Sequence, residues 1–294
     1  MEAETASNVK AELGEGPSWD ERSQILYWVD IKRGQIHAHK PGNTSDELVA
    51  DLGEIVTCVA PRKRGGLALT LRNGFYALDL GTKKLEPLYE NVESPDAGAR
   101  FNDGKVDPAG RFWAGTMDDS EKNQIGSLYF LGKDRKLKKV LSDIWISNGL
   151  GWTPDSKIMF YIDTPTRQVW SFDYSIQTGE ISNRKIAADF MENHQKGDPD
   201  GMTVDAEGMI WVAHWGGACV TRWNPVTGKL LDTVALPTDH VTSVCFGGRN
   251  LDELYITSAQ EGLDEKARAA QPLAGRLFVA RVGVRGLPTF AYEG

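Results

Sequence analysis

Apolar residues in this chain cluster in short bursts separated by polar, glycine-rich stretches. The bursts are Leu26-Tyr27-Trp28-Val29-Asp30, Leu67-Ala68-Leu69-Thr70, Phe112-Trp113-Ala114-Gly115, Phe160-Tyr161-Ile162-Asp163, Ile210-Trp211-Val212-Ala213 and Leu254-Tyr255-Ile256-Thr257. Their length and their β-branched and aromatic content predict strands, not helices. Their centres recur every 41 to 50 residues, which defines six units. A turn signal stands ahead of each, such as Asp107-Pro108-Ala109-Gly110 or Asp205-Ala206-Glu207-Gly208. A further strand precedes the turn (Val56 to Ala60 in the second unit). Two more follow the burst, as in Gln168 to Asp173 and Arg184 to Ala188 around the hairpin Gln177-Thr178-Gly179-Glu180. Four strands per unit and six units predict an all-β fold: a six-bladed β-propeller with four-stranded antiparallel blades. Residues 1–294 then form one domain, with 1–9 as a short N-terminal tail. The best helical stretch, Asp264 to Ala270, falls between blade strands, which is far too little helix for an α/β barrel.

The innermost strands of a propeller line its central channel, so residues in one register form a ring. Counting back 11 to 13 residues from each burst centre gives Glu15, Thr57, Asn102, Asn148, Asp200 and Thr242. Glu15, Asn102, Asn148 and Asp200 are oxygen donors from four units. Two carboxylates brought together there would repel, and burying them unpaired is costly, so a hard divalent cation is the natural partner. The ring holds no His or Cys, which argues against a structural zinc site. Asn-Gly and Asp-Gly are also common turn dipeptides, so the pattern alone leaves a turn and a metal seat both open.

Composition narrows the remaining classes. The net charge of −8 argues against nucleic acid as a partner. Cys58, Cys219 and Cys245 lie far apart in apolar runs and read as buried thiols in a reducing compartment. The first ten residues are polar, and no apolar run is long enough to span a bilayer, so the expectation is a cytoplasmic chain with no membrane partner. No Walker loop or nucleophile elbow is present. His37 and His39 alternate along one strand and read as surface residues of the first unit. His214 follows the fifth burst and reads as structural. Trp145 and Trp215 are candidate apolar walls.

The stretches Gly14-Glu15-Gly16-Pro17, Arg100-Phe101-Asn102-Asp103-Gly104-Lys105-Val106-Asp107, Gly115-Thr116-Met117, Ile146-Ser147-Asn148-Gly149-Leu150 and Pro199-Asp200-Gly201-Met202 carry a resemblance. Together they resemble the regucalcin, gluconolactonase and luciferin-regenerating-enzyme (SMP-30) family, from Leu13 to the last unit. The resemblance implies metal-dependent hydrolysis of sugar lactones. It implies one divalent ion (Ca²⁺, Zn²⁺, Mn²⁺, Mg²⁺ or Fe²⁺) on Glu15, Asn148 and Asp200, with Arg100 and Asn102 as substrate contacts. It also implies an acidic substrate contact soon after Gly-Thr-Met. Here that stretch reads Asp118-Asp119-Ser120-Glu121, so several carboxylates match; Asp119 is the candidate. Asp200, ligand and neighbour of the attacking water, is the candidate general base. The expected partner is a small sugar lactone and the expected state a monomer. Another metal-dependent esterase or phosphotriesterase, or a non-enzymatic calcium-binding regulator, stays open as an alternative.

Overall fold

The computed structural model describes residues 1–294. The apolar bursts become the second strands of six four-stranded antiparallel sheets. The innermost strands are Gly14–Asp20, Val56–Pro61, Ala99–Val106, Ser147–Trp152, Asp198–Val204 and Val241–Gly247. They stand around the axis of a six-bladed propeller. Among the described residues, helix is confined to a single α-helical segment, Glu265–Ala270, capped by the Asp264 side chain, and two one-turn 3₁₀ segments. Among the described residues no helix is long and apolar enough to cross a membrane.

Six apolar clusters hold the molecule together, most of them drawing on two adjacent blades. Val29 and Ile36 of the first blade meet Val59 and Leu69 of the second, for example. Each sheet is thus covered on both faces. This explains why His37 and His39 are buried instead of lying at the surface. His37 stacks on Trp28 with ring centroids 4.5 Å apart, and His39 Nδ1 lies 2.8 Å from Asp46 Oδ1. Cys58 and Cys245 are buried as expected; Cys219 is only partly so.

The turn sequences of the third and fifth blades earn their aspartates. Asp107 accepts hydrogen bonds from the Ala109 and Arg111 backbone N–H, from Arg111 Nε, from the Trp113 indole and from the Tyr174 hydroxyl. Asp205 repeats the scheme with Glu207 N, Met209 N, Trp211 Nε1 and Arg222 Nε. Both carboxylates have 0% exposure, and each ties its turn to the indole of the neighbouring strand.

The two chain ends close the ring. Glu4–Thr5, inside the segment expected to be a tail, pairs antiparallel with Phe278–Ala280 as the outermost strand of the sixth blade. A two-residue strand of polar side chains carries no apolar pattern, so its pairing depends on backbone hydrogen bonds the sequence does not advertise. The C-terminal segment runs across the far mouth of the channel. Gly286 bridges Asp205 and its N–H donates to Leu251 O; Tyr292 N donates to Pro61 O, and Glu293 N to Gly110 O. The candidate site lies at the opposite end of the channel.

Candidate active site

All six innermost strands carry a one-residue bulge at the ring position. The register slips between Glu15 and Ser18, Val56 and Cys58, Phe101 and Gly104, Asn148 and Leu150, Pro199 and Met202, and Val241 and Val244. A bulge leaves a residue unpaired and re-aims the side chains beside it. Here that happens six times around one axis, and the ring residues lie within or at the edge of the bulges. The glycines following Glu15 and Asp200 serve this geometry. Gly16 has φ +51°, in the left-handed region. A methyl group on Gly201 would run into the Ser243 side chain of the next blade.

Glu15, Arg100, Asn102, Asn148 and Asp200 line one cavity, with open space of about 1020 Å³ including its mouth. Thr57 and Thr242 do not reach it; their hydroxyls bond Thr70 and Gly14 O within and between blades. The five lining residues come from four blades. Glu15, Asn148, Asp200 and Arg100 are 7%, 4%, 7% and 4% exposed, so the polar floor is shielded from bulk water.

Hydrogen bonds fix the orientation of the amides. Arg100 Nη1 donates to Asn102 Oδ1 at 3.1 Å. Asn102 Nδ2 donates to Ser147 O at 2.9 Å and to Asn148 Oδ1 at 3.3 Å. Asn148 Nδ2 donates to Thr164 Oγ1 at 2.9 Å, and that hydroxyl donates to Pro199 O at 2.9 Å, next to Asp200. Thr164 also lines the cavity and was not found from sequence. Its role depends on the 3₁₀ turn Thr164–Thr166 between the second and third strands of the fourth blade, away from the repeat register.

The two carboxylates behave as groups short of a counter-charge. Burial first, and then the charge of Asp103, push Glu15 up to about 8. Burial, and then the charge of Glu15, push Asp200 well above the usual carboxylate range. Among the described residues no group of three or more His, Cys, Asp and Glu converges to hold a metal. The oxygen donors here are two carboxylates and amides, a set suited to a hard divalent ion. His214 is fully buried in the fifth blade, bonded to Thr221 and edge-on to Phe190, and plays no part in the cavity.

Asp119 does not line the cavity. Its carboxylate receives Arg100 Nε at 2.9 Å and Arg72 Nη1 at 2.8 Å, so it stands behind Arg100. Glu121 is the acid of that loop that lines the cavity. The loop is folded by Asp118, which accepts from Ser120 N and Oγ, Lys122 N, and Asn123 N and Nδ2. That wrapping turns Glu121 inward with φ +58°. Trp215 forms a wall as expected, stacked on His240 at 4.0 Å, and Trp145 is not among the lining residues.

The fold agrees with comparisons to known proteins. Residues 13–260 match the family described as the SMP-30/Gluconolactonase/LRE-like region. Regucalcin of Danio rerio is 40% identical over 297 residues, covering 100% of this chain and 99% of its own. YvrE of Bacillus subtilis, named provisionally as a sugar lactone lactonase, is 37% identical and covers 100% and 99%. Among solved structures, a calcium-binding protein, regucalcin, of Agrobacterium tumefaciens superposes with a TM-score of 0.92 at 27% identity, covering 99% of this chain and 97% of that one. With the family's region filled from the first blade to the sixth, this chain belongs to the SMP-30/gluconolactonase/LRE-like family.

Proposed function

We propose that this chain is a lactonase that opens sugar lactones to aldonic acids with one divalent ion held by Glu15, Asn148 and Asp200. The observation that carries this reading is the meeting of Glu15, Arg100, Asn102, Asn148 and Asp200 in one shielded cavity, with both carboxylates short of positive charge. A divalent ion bound there supplies Lewis-acid polarisation of the ester carbonyl.

The chain's own residues account for the rest. Asp200 lies at the cavity floor with no arginine or lysine bonded to it, so its carboxylate is free to take the proton of the attacking water. The water oxygen adds to the carbonyl carbon, the ring C–O bond breaks, and the proton held on Asp200 passes to the departing alkoxide. Arg100, oriented by Asp119, offers its remaining guanidinium N–H groups to adjacent sugar oxygens. Asn102 presents its amide beside it. Glu121 is placed to accept hydrogen bonds from sugar hydroxyls. The Agrobacterium relative is described as calcium-binding, but oxygen ligands admit several ions, and supply decides among them.

The test is direct. Chelated protein, resupplied singly with Ca²⁺, Mn²⁺, Mg²⁺, Zn²⁺ or Fe²⁺, opens glucono-, xylono- or arabinolactone with at least one ion and not without it. Faster hydrolysis of paraoxon than of every sugar lactone would instead favour a phosphotriesterase on this scaffold. Thr164→Val supplies a second measurement. Without the hydroxyl, the Asn148 amide loses its orienting bond, and divalent-ion affinity by calorimetry falls about 10- to 100-fold, the scale for supporting contacts to metal ligands. Unchanged affinity would remove Thr164 from the site.

A further inference from the structure

A second cavity lies on the channel axis beneath the first, lined by Gly16, Asp103, Lys105 and Ser243 and by Leu287 to Phe290 of the C-terminal segment. It adjoins the proposed cation seat through the backbone itself. Gly16 follows Glu15, and Asp103 follows Asn102 within the bulge of the third blade. That bulge sends neighbouring side chains to opposite cavities, with Asn102 lining the upper one and Asp103 the lower. Asp103 is 6% exposed, and its Oδ1 accepts from Gly104 N at 2.7 Å. Lys105 Nζ donates to Met202 O at 2.5 Å, two residues beyond Asp200. Neither group takes part in the proposed chemistry, yet both are ionisable groups on the inner lining of the channel.

The deepest charges on the axis lie on the innermost strands. Glu15, Asp103 and Asp200 bring three negative charges and Lys105 one positive. The other charges around the upper cavity offset one another: Arg100 and Arg72 face Asp119 and Glu121, Asp198 pairs with Arg167, and Glu261 pairs with Lys32. Two negative charges are left over, which one divalent cation balances. We propose that Asp103 and Lys105 form the charge complement behind the cation seat, with Lys105 offsetting the third carboxylate so that the channel is neutral when it holds one divalent ion. Both are positioning residues; neither touches substrate. The direction of mutual influence agrees: Asp103 raises the proton affinity of Glu15 and Asp200, and Lys105 lowers that of Glu15. The inference rests on the divalent seat proposed above.

Charge complement and mere strand anchoring predict different signs. Full-length, metal-free protein is titrated by calorimetry with Ca²⁺ and, separately, with Tb³⁺ followed by its luminescence. Asp103→Asn removes a negative charge at nearly constant shape and weakens Ca²⁺ binding about tenfold or more. Lys105→Met removes the positive charge, tightens Ca²⁺ binding, and tightens Tb³⁺ binding by a larger factor. The double variant returns Ca²⁺ affinity to within about threefold of the parent, because charge is again balanced. If both single variants weaken binding, the pair is an anchor and the proposal is overturned; it is equally overturned if neither changes it. Should Lys105→Met alone fail to fold, Asp103→Asn against the double variant decides: the double must bind Ca²⁺ more tightly. A parent protein that binds neither ion sinks the cation seat itself and this proposal with it, whereas a parent that binds beside indifferent variants sinks only this one.

Discussion

Replacing Asp200 with alanine lowers lactone hydrolysis at least about 10²-fold while the propeller stays folded. The two halves of that result have one cause. Asp200 is a buried carboxylate, 7% exposed, whose proton affinity is raised by burial and by Glu15. In the ion-free fold it costs stability, since a charge there is desolvated and repelled. Removing it leaves thermal stability equal or higher, opposite to the usual loss of about 1 kcal/mol from a point substitution. Activity falls because the same carboxylate is ligand and proton acceptor. Lactone turnover and calorimetric unfolding on the same preparation check both halves. Parent-like turnover would remove Asp200 from the mechanism, and a variant that unfolds near room temperature would make it a structural residue.

The six apolar bursts made the blades legible because each is the second strand of a sheet, buried on both sides by its neighbours. A strand in that position must be apolar along its whole length, and it repeats with the blade. The ring was legible for the same reason: a residue a fixed distance upstream of a repeating strand keeps its place around the axis. Glu15, Asn102, Asn148 and Asp200 do meet at one cavity. The dipeptides Asn148-Gly149 and Asp200-Gly201 stand within strands, at bulges, instead of at turns. A turn and a bulge ask the same thing of a sequence, a small residue where backbone bends or another backbone comes close, so local sequence cannot separate them.

What sequence did not disclose lies outside that register. Glu121 reaches the cavity because Asp118 gathers five hydrogen bonds into its loop, and four consecutive polar residues give no sign of which one turns inward. His37 and His39 followed an alternation that marks a solvent face in an isolated sheet, but a propeller blade packed between two others has no such face. Their burial is a property of the assembly of blades, not of the strand.

The stability of the metal-free protein falls as pH rises from about 5 to about 8, and a saturating divalent ion flattens that fall. Glu15 ionises near 4.5 in an unfolded chain and near 8 in this fold, with burial the main cause and Asp103 the next. Between those values the folded state holds a proton that the unfolded state has released. Stability then decreases with rising pH, by about 1.4 kcal/mol per pH unit for one proton. For a domain of this size that is about 2 °C per pH unit. Asp200 is raised as well and adds to the slope in the same direction. A bound cation needs both carboxylates ionised, so its stabilising effect grows across the window and levels off above about pH 8. Scanning calorimetry with chelator and with excess Ca²⁺, at half-unit steps of pH, gives two curves that diverge upward from pH 5. A Glu15→Gln variant without metal shows a shallower slope than the parent, which separates this group from histidines titrating in the same range. Parallel curves with and without the ion would mean that the two carboxylates are not where the ion binds, and the cavity would then need another explanation for holding unmatched negative charge.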